Sequence, residues 1–181
     1  DRQSGRRNAP SLVMSGYSPA LFWDGRAGPL EQQAMHPIID PIEMAFDIPQ
    51  LLQRLNADAA YREQFAQIFG PGPITTAHTA YALATFQRTL VSATRNTAFE
   101  QLLRGRPQRM SDEQLYGLHL FRTKARCMNC HFGPALSDEQ FHNVGLSYYG
   151  RKYEDLGRYE VSRKPEDVGA FRTPSLRLVM K

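Results

Sequence analysis

Cys127-Met128-Asn129-Cys130-His131 is the stretch on which the reading of this chain turns. Two thiols separated by two residues, followed at once by an imidazole, form the attachment pattern of a c-type haem. The chemistry accounts for the spacing. Thiols so placed reach the two vinyl groups of one porphyrin, and His131 then lies beneath the ring and offers an imidazole nitrogen to the iron. The chain holds two cysteines and five histidines, and shuffling them would give this arrangement on the order of a few times in ten thousand. Two rivals are weaker. A thioredoxin-like dithiol needs a strand, turn and helix that the flanking sequence does not offer, and a zinc site needs a second Cys/His pair at usable spacing.

Outward from the motif, the pattern is helical on one side and irregular on the other. Upstream, Ser111-Asp112-Glu113-Gln114 has the form of a capping box and opens a helix through Leu115, Leu118 and Phe121 that delivers the chain to Cys127. Downstream, Pro134, Gly145, Gly150, Gly157 and Gly169 interrupt an aromatic-rich segment with no evident strand. Further upstream, Phe99 to Leu103 reads as a short helix closed by Gly105 and Pro107. A longer helix begins at Thr75 or Thr76, with Ala80, Leu83, Ala84, Phe86, Thr89, Leu90 and Ala93 at helical spacing. Asp58 is expected to cap a helix that buries Tyr61, Phe65, Ile68 and Phe69 and ends at Gly70-Pro71-Gly72-Pro73. Asp47 should cap another, with Pro49 in its first turn and Leu51, Leu52 and Leu55 as its apolar set. Leu30 to Met35 is expected to form a short helix stopped by the segment Pro37 to Pro41. Residues 1–26 form an irregular arm. The fold class is mainly α.

Bulk properties narrow the function. The chain has 181 residues, enough for one good-sized core or two small ones. No apolar run approaches the roughly 20 residues that span a bilayer, so this chain contributes no transmembrane segment. The net charge of +4 comes with scattered arginines, among them Arg6, Arg7, Arg54, Arg62, Arg88, Arg95, Arg104, Arg106 and Arg109. They do not alternate with aromatics on one face, which argues against nucleic acid as a partner. A basic surface also suits an acidic redox partner. The chain opens at Asp1 without an initiator Met and closes at Leu178-Val179-Met180-Lys181, and the expectation is a piece of a longer processed protein. His142 reads as a packed or hydrogen-bonded loop residue, and His36, His78 and His119 as structural. Met110 and Met180 are thioether candidates for a sixth iron ligand that the sequence does not identify.

Leu21-Phe22-Trp23-Asp24-Gly25-Arg26-Ala27 resembles a segment of the bacterial di-haem cytochrome c peroxidases and their relatives, the methylamine-utilisation di-haem enzymes. The resemblance continues through Arg7-Asn8-Ala9-Pro10, Glu31-Gln32-Gln33-Ala34, Pro41-Ile42-Glu43-Met44 and Ala84-Thr85-Phe86-Gln87-Arg88-Thr89. It extends past the haem motif through Phe141-His142-Asn143-Val144-Gly145 and Phe171-Arg172-Thr173-Pro174-Ser175-Leu176-Arg177. The order and spacing of these strings, more than any one of them, carries the likeness.

The resemblance implies a cytochrome c-like helical haem domain, with an irregular N-terminal arm, inside a di-haem two-domain architecture. Residues 1–107 would be the remainder of the N-terminal, peroxidatic domain with the inter-domain helices, and residues 108–181 a truncated C-terminal haem domain. It implies reduction of hydrogen peroxide in the periplasm, with electrons from a small redox protein or a quinol, and a homodimer is one assembly it allows. The cofactor would be covalent haem c at Cys127, Cys130 and His131, with a second haem c upstream. Glu43 resembles the acid/base carboxylate, Gln33 the distal hydrogen-bonding amide, and Trp23 the aromatic between the haems. Pro37 resembles a residue packed at the peroxide site. Asn8 resembles a ligand of a structural calcium whose other ligands would fall beyond Lys181. Residue chemistry alone permits duller roles: a solvated acid, an exposed amide and a core anchor. Two other function classes stand beside the peroxidase. One is a mono-haem electron carrier without turnover, and the other a di-haem enzyme that oxidises a protein side chain.

Overall fold

The computed structural model describes residues 4–91 and 97–179. Seven α-helices occur among them: α1 (Leu30–Ile39), α2 (Ile48–Ala57), α3 (Ala59–Phe69), α4 (Thr76–Thr89), α5 (Ala98–Leu103), α6 (Asp112–Arg122) and α7 (Tyr159–Ser162). The fold is mainly helical, as the sequence indicates.

Helix starts follow from side chains that satisfy backbone N–H groups left free in the first turn. Asp47 accepts from the Gln50 N–H at 2.8 Å, with Pro49 in the first turn of α2. Asp58 accepts from Ala60 and Tyr61 at the start of α3, and Thr75 accepts from His78 at the start of α4. Reciprocal capping boxes open α5, through Thr97 and Glu100, and α6, through Ser111 and Gln114.

Helix α1 runs four residues beyond the expected stop at Met35 and holds Pro37 inside its last stretch. A proline at that position removes one N–H from the ladder but keeps a helical φ. The following loop folds back and supplies donors to the end of the helix. Met44 N–H donates to the Pro37 carbonyl at 3.1 Å and Phe46 N–H to that of Ile38 at 2.8 Å.

The core lies where the arm, α1 and α4 meet. Leu21, Phe22, Ala27, Leu30 and Ala84 form one buried cluster, and Ala27 and Ala84 have no exposed surface at all. Small residues there let α1 approach α4 closely. The apolar stripes further out are only partly used. Tyr61 and Ile68 on α3, and Leu83 and Phe86 on α4, are exposed, contrary to the burial their spacing suggests. Helical spacing identifies an apolar stripe, but a partner element must cover it, and no described element covers these side chains. The expected continuation of the α4 stripe to Ala93 lies outside the described residues.

The irregular last third contains one short strand pair that the sequence did not reveal. Strand β1 (Phe141–His142) pairs antiparallel with β2 (Phe171–Arg172), Phe141 opposite Arg172 and His142 opposite Phe171. Two residues per strand show no period of 2, so pairing depends on contacts across the fold. The arm then joins this pair, because Arg172 N–H donates to the Trp23 carbonyl at 2.8 Å.

Candidate functional site

The Cys-x-x-Cys-His segment forms a 3-10 turn over Cys127–Asn129, entered through Arg126 at φ +56°. Both thiols are half-buried and free of disulfide. The segment after it curls back, with Asp138 N–H donating to the Cys130 carbonyl at 2.7 Å and Ser137 N–H to that of Phe132 at 2.9 Å. That turn places the Leu136 carbonyl 2.9 Å from His131 Nδ1. A carbonyl can only accept, so Nδ1 carries a proton, and in the neutral ring Nε2 keeps its lone pair. This is the tautomer and the orienting bond that an iron-ligating imidazole requires. Two available thiols and a pre-oriented imidazole fit a covalently bound haem.

A second cluster adjoins the motif. Cys130, Asp138 and His142 bring a sulfur, a carboxylate oxygen and a ring nitrogen within 4.8 Å of one another. His142 Nε2 is 2.7 Å from Asp138 Oδ2, so its reading as a hydrogen-bonded residue agrees with its place, now on β1. Burial works against the Asp138 charge, but the Gln140 N–H, His142 and Thr173 outweigh it and hold the carboxyl below its usual range. Met110 is half-buried, and Met180 lies outside the described residues.

Gln33 and Glu43 sit on consecutive elements. Gln33 projects from α1, and its Oε1 is buried without a hydrogen-bond partner, as is Oε1 of Gln87 on α4. An unpaired buried carbonyl oxygen costs about 1–3 kcal/mol, so Gln33 is poised to bond a group that the described residues do not provide. Glu43 lies on the loop that folds back over the end of α1, its N–H donating to the Asp40 carbonyl at 3.1 Å, and its side chain is exposed. Pro37 occupies the α1 turn onto which this loop closes.

Trp23 and Asn8 meet on the arm. The indole Nε1–H donates to the Asn8 carbonyl at 2.8 Å. Both residues help line a cavity of about 660 Å³ together with Arg6, Arg7, Tyr148 and Tyr153. Hydrogen bonds joined by short peptide steps connect Trp23 to the haem motif. The Trp23 carbonyl accepts from Arg172 N–H, Thr173 N–H donates to the Gln140 carbonyl, and Ser137 Oγ donates to the Thr173 carbonyl at 2.7 Å.

Beneath Trp23 lies an ion-pair hub that sequence reasoning missed. Arg7 Nε and Nη2 donate to the two carboxylate oxygens of Asp155, both at 2.6 Å, and Nη1 donates to Asp24 Oδ2 at 2.5 Å. Glu160 and Arg6 extend the group. Burial disfavours the Arg7 charge, yet the bonds to Asp155 and Asp24 raise its pKa above the ordinary range. Burial likewise works against the Asp155 charge, and Arg7 with the Gly157 N–H holds that carboxyl below its usual range. These partners are 148 residues apart in the chain, and the only local signal was an arginine next to Asn8 and an aspartate next to Trp23.

A match to the family model described as di-haem cytochrome c peroxidase covers residues 1–108. The chain is 40% identical over 181 residues to the methylamine utilization protein MauG of Methylophilus methylotrophus, covering 96% of this chain and 51% of that protein. It is 34% identical over 177 residues to the cytochrome c551 peroxidase of Nitrosomonas europaea, covering 97% and 52%. Among solved structures, a MauG-like protein associated with microbial copper homeostasis superposes with a TM-score of 0.83 at 31% identity, covering 96% of this chain and 55% of the other. The chain thus spans about half the length of the curated relatives it matches.

Proposed function

Because this chain belongs to the di-haem cytochrome c peroxidase family, we propose that it forms part of a haem enzyme that reduces hydrogen peroxide to water, carrying haem c on Cys127, Cys130 and His131. The observation that carries the haem assignment is the His131 Nδ1–H bond to the Leu136 carbonyl, which leaves Nε2 to face an iron, in a segment whose two thiols are free of disulfide. The haem supplies an iron centre that accepts and passes electrons one at a time.

The chain's own residues divide the remaining work. Glu43 takes a proton from one peroxide oxygen and returns it to the other, so that water leaves as the O–O bond breaks. Two electrons and two further protons complete the conversion of peroxide to two waters. The electrons come from a small redox protein or a quinol and the protons from solvent. Gln33, with its buried unpaired Oε1, holds the distal side of the peroxide site, and Pro37 packs beside it. Trp23 provides an indole through which electrons pass between two haem sites, the second lying in the part of the relatives that this chain does not span. Asn8 is the candidate calcium ligand. We place residues 1–107 with the peroxidatic domain and 108–181 with the electron-transfer haem domain, joined by ion pairs that cross this boundary. Among the described residues no helix is long and apolar enough to cross a membrane. Thioether formation with haem occurs on the export side of the membrane, which supports a periplasmic location. A second reading, oxidation of a protein side chain, has the 40% identity to a methylamine utilization protein in its favour.

Two measurements test this. Haem staining on a denaturing gel and intact mass should give one haem per 181-residue chain, and Cys130→Ala should weaken attachment. In the full-length protein that carries this sequence, Glu43→Gln should leave haem content unchanged. It should also slow peroxide consumption in stopped flow by roughly 10²-fold or more, the usual size of a lost general acid/base. An unchanged rate removes Glu43 from the mechanism.

A further inference from the structure

The indole of Trp23 is fixed at both ends by groups that share one guanidinium. Arg7 is bonded through the peptide to Asn8, whose carbonyl receives the indole N–H. Asp24 is bonded through the peptide to Trp23, and its carboxylate receives Arg7 Nη1. The result is a closed ring: the residue 7–8 peptide, the Asn8 carbonyl, the indole, the residue 23–24 peptide, the Asp24 carboxylate and the guanidinium. Each carboxylate is itself anchored. Asp24 Oδ1 accepts from the N–H and guanidinium of Arg26, and Asp155 Oδ1 accepts from Gly157 N–H at 2.9 Å. The Asp24 side chain is 5% exposed and those of Asp155 and Arg7 are 12% and 14% exposed.

We infer that Arg7 is a positioning residue that sets the orientation of the Trp23 indole and of Asn8. Two features make it hard to replace. A guanidinium reaches two carboxylates at once, one of them bidentately, whereas an ammonium is a point charge that serves one. Removing Arg7 would take the bidentate partner from Asp155 and leave Asp24 with Arg26 as its cation, so two nearly buried carboxylates would be underpaired and the segments carrying Asn8 and Asp24 would shift to hydrate them. Arg6 shares Asp155 and Glu160 with Arg7 but is 56% exposed. Because its side-chain bonds among the described residues run to those two acids, it serves as a control for loss of charge in the same cluster. The functional consequence rests on the reading of Trp23 as the electron relay, whereas the positional statement stands on geometry alone.

Trp23 is the only tryptophan in these 181 residues, and its indole N–H resonance in the ¹⁵N-labelled, haem-loaded full-length protein is the one lost in Trp23→Phe. Arg7→Gln and Arg7→Lys should shift that resonance and speed its exchange with solvent by roughly fivefold or more, the factor for one ordinary hydrogen bond. Arg6→Gln should leave it in place. If Arg7→Gln fails to fold, Asp24→Asn cuts the same ring isosterically and should move the indole in the same way. An indole unmoved by Arg7→Lys and Asp24→Asn overturns the inference, and so does an equal response to Arg6→Gln. In the full-length protein, Trp23→Phe tests the relay separately. Unchanged turnover there, with a moved indole in the Arg7 variants, overturns the relay reading and leaves the positioning role supported.

Discussion

Gly157→Ala should destabilise the chain more than glycine substitutions at other left-handed positions. Gly157 sits at φ +58°, and a Cβ placed on it would overlap the Ala170 carbonyl oxygen, with the Ala170 carbonyl carbon at 3.1 Å and a Phe171 ring carbon at 3.2 Å. The first obstacle is backbone, held by the parallel bridge between Gly157 and Ala170 and by Arg158 N–H bonding the Ala170 carbonyl at 2.7 Å. It cannot swing aside as a side chain could. Left-handed backbone costs an alanine roughly 1–2 kcal/mol, and forcing a methyl into filled space adds about 1–3 kcal/mol. A central value of about 3 kcal/mol, at about 2–4 °C per kcal/mol for a chain of this size, lowers Tm by roughly 6–12 °C. Gly105 is the internal reference, because its φ is +75° and nothing lies within 4 Å of a Cβ there. Gly105→Ala therefore carries only the backbone part, about 1–2 kcal/mol. Thermal unfolding of both haem-loaded variants, followed by circular dichroism at the helix band, gives the difference. Equal Tm losses would refute the close approach of the two segments. The effect should also reach the site, since the Gly157 N–H holds Asp155 in place for Arg7.

Acid should loosen the same hub. The Asp155 carboxyl titrates below its ordinary value in the folded chain, so the stability it contributes is fully present above about pH 4 and is lost as pH falls further; Asp155→Asn should flatten this part of the Tm–pH curve, and an unaltered curve would exclude Asp155 as its source. Ala84→Leu adds three carbons at a position with no exposed surface between α1 and α4 and should cost about 1–3 kcal/mol by chemical denaturation. A change under about 0.5 kcal/mol, the range of ordinary surface substitutions, would mean that this contact is loosely packed.

What the sequence by itself determined is what local chemistry determines. The starts of α2, α3, α4 and α6 were legible because a capping oxygen and the N–H groups it serves lie two or three residues apart. The haem motif was legible for the same reason, since its two thiols and imidazole occupy five consecutive residues. Glu43, Gln33, Trp23 and Asn8 stood out through the order of strings shared with a family; no rule of periodicity singles them out.

Only the tertiary structure decided which stripes are buried. The spacing of Leu83 and Phe86 is as helical as that of Ala80 and Ala84, yet the alanines are buried and the larger pair is exposed. It also decided that α1 continues through Pro37, because donors from Met44 and Phe46 meet the end of the helix. The pairing of β1 with β2, the bond from Arg172 to Trp23 and the grip of Arg7 on Asp155 all join segments remote in sequence. A charge carries no record of its partner along the chain. Arg7 had many carboxylates within reach in the unfolded state, and packing selected Asp24 and Asp155 by leaving them almost no water with which to bond instead.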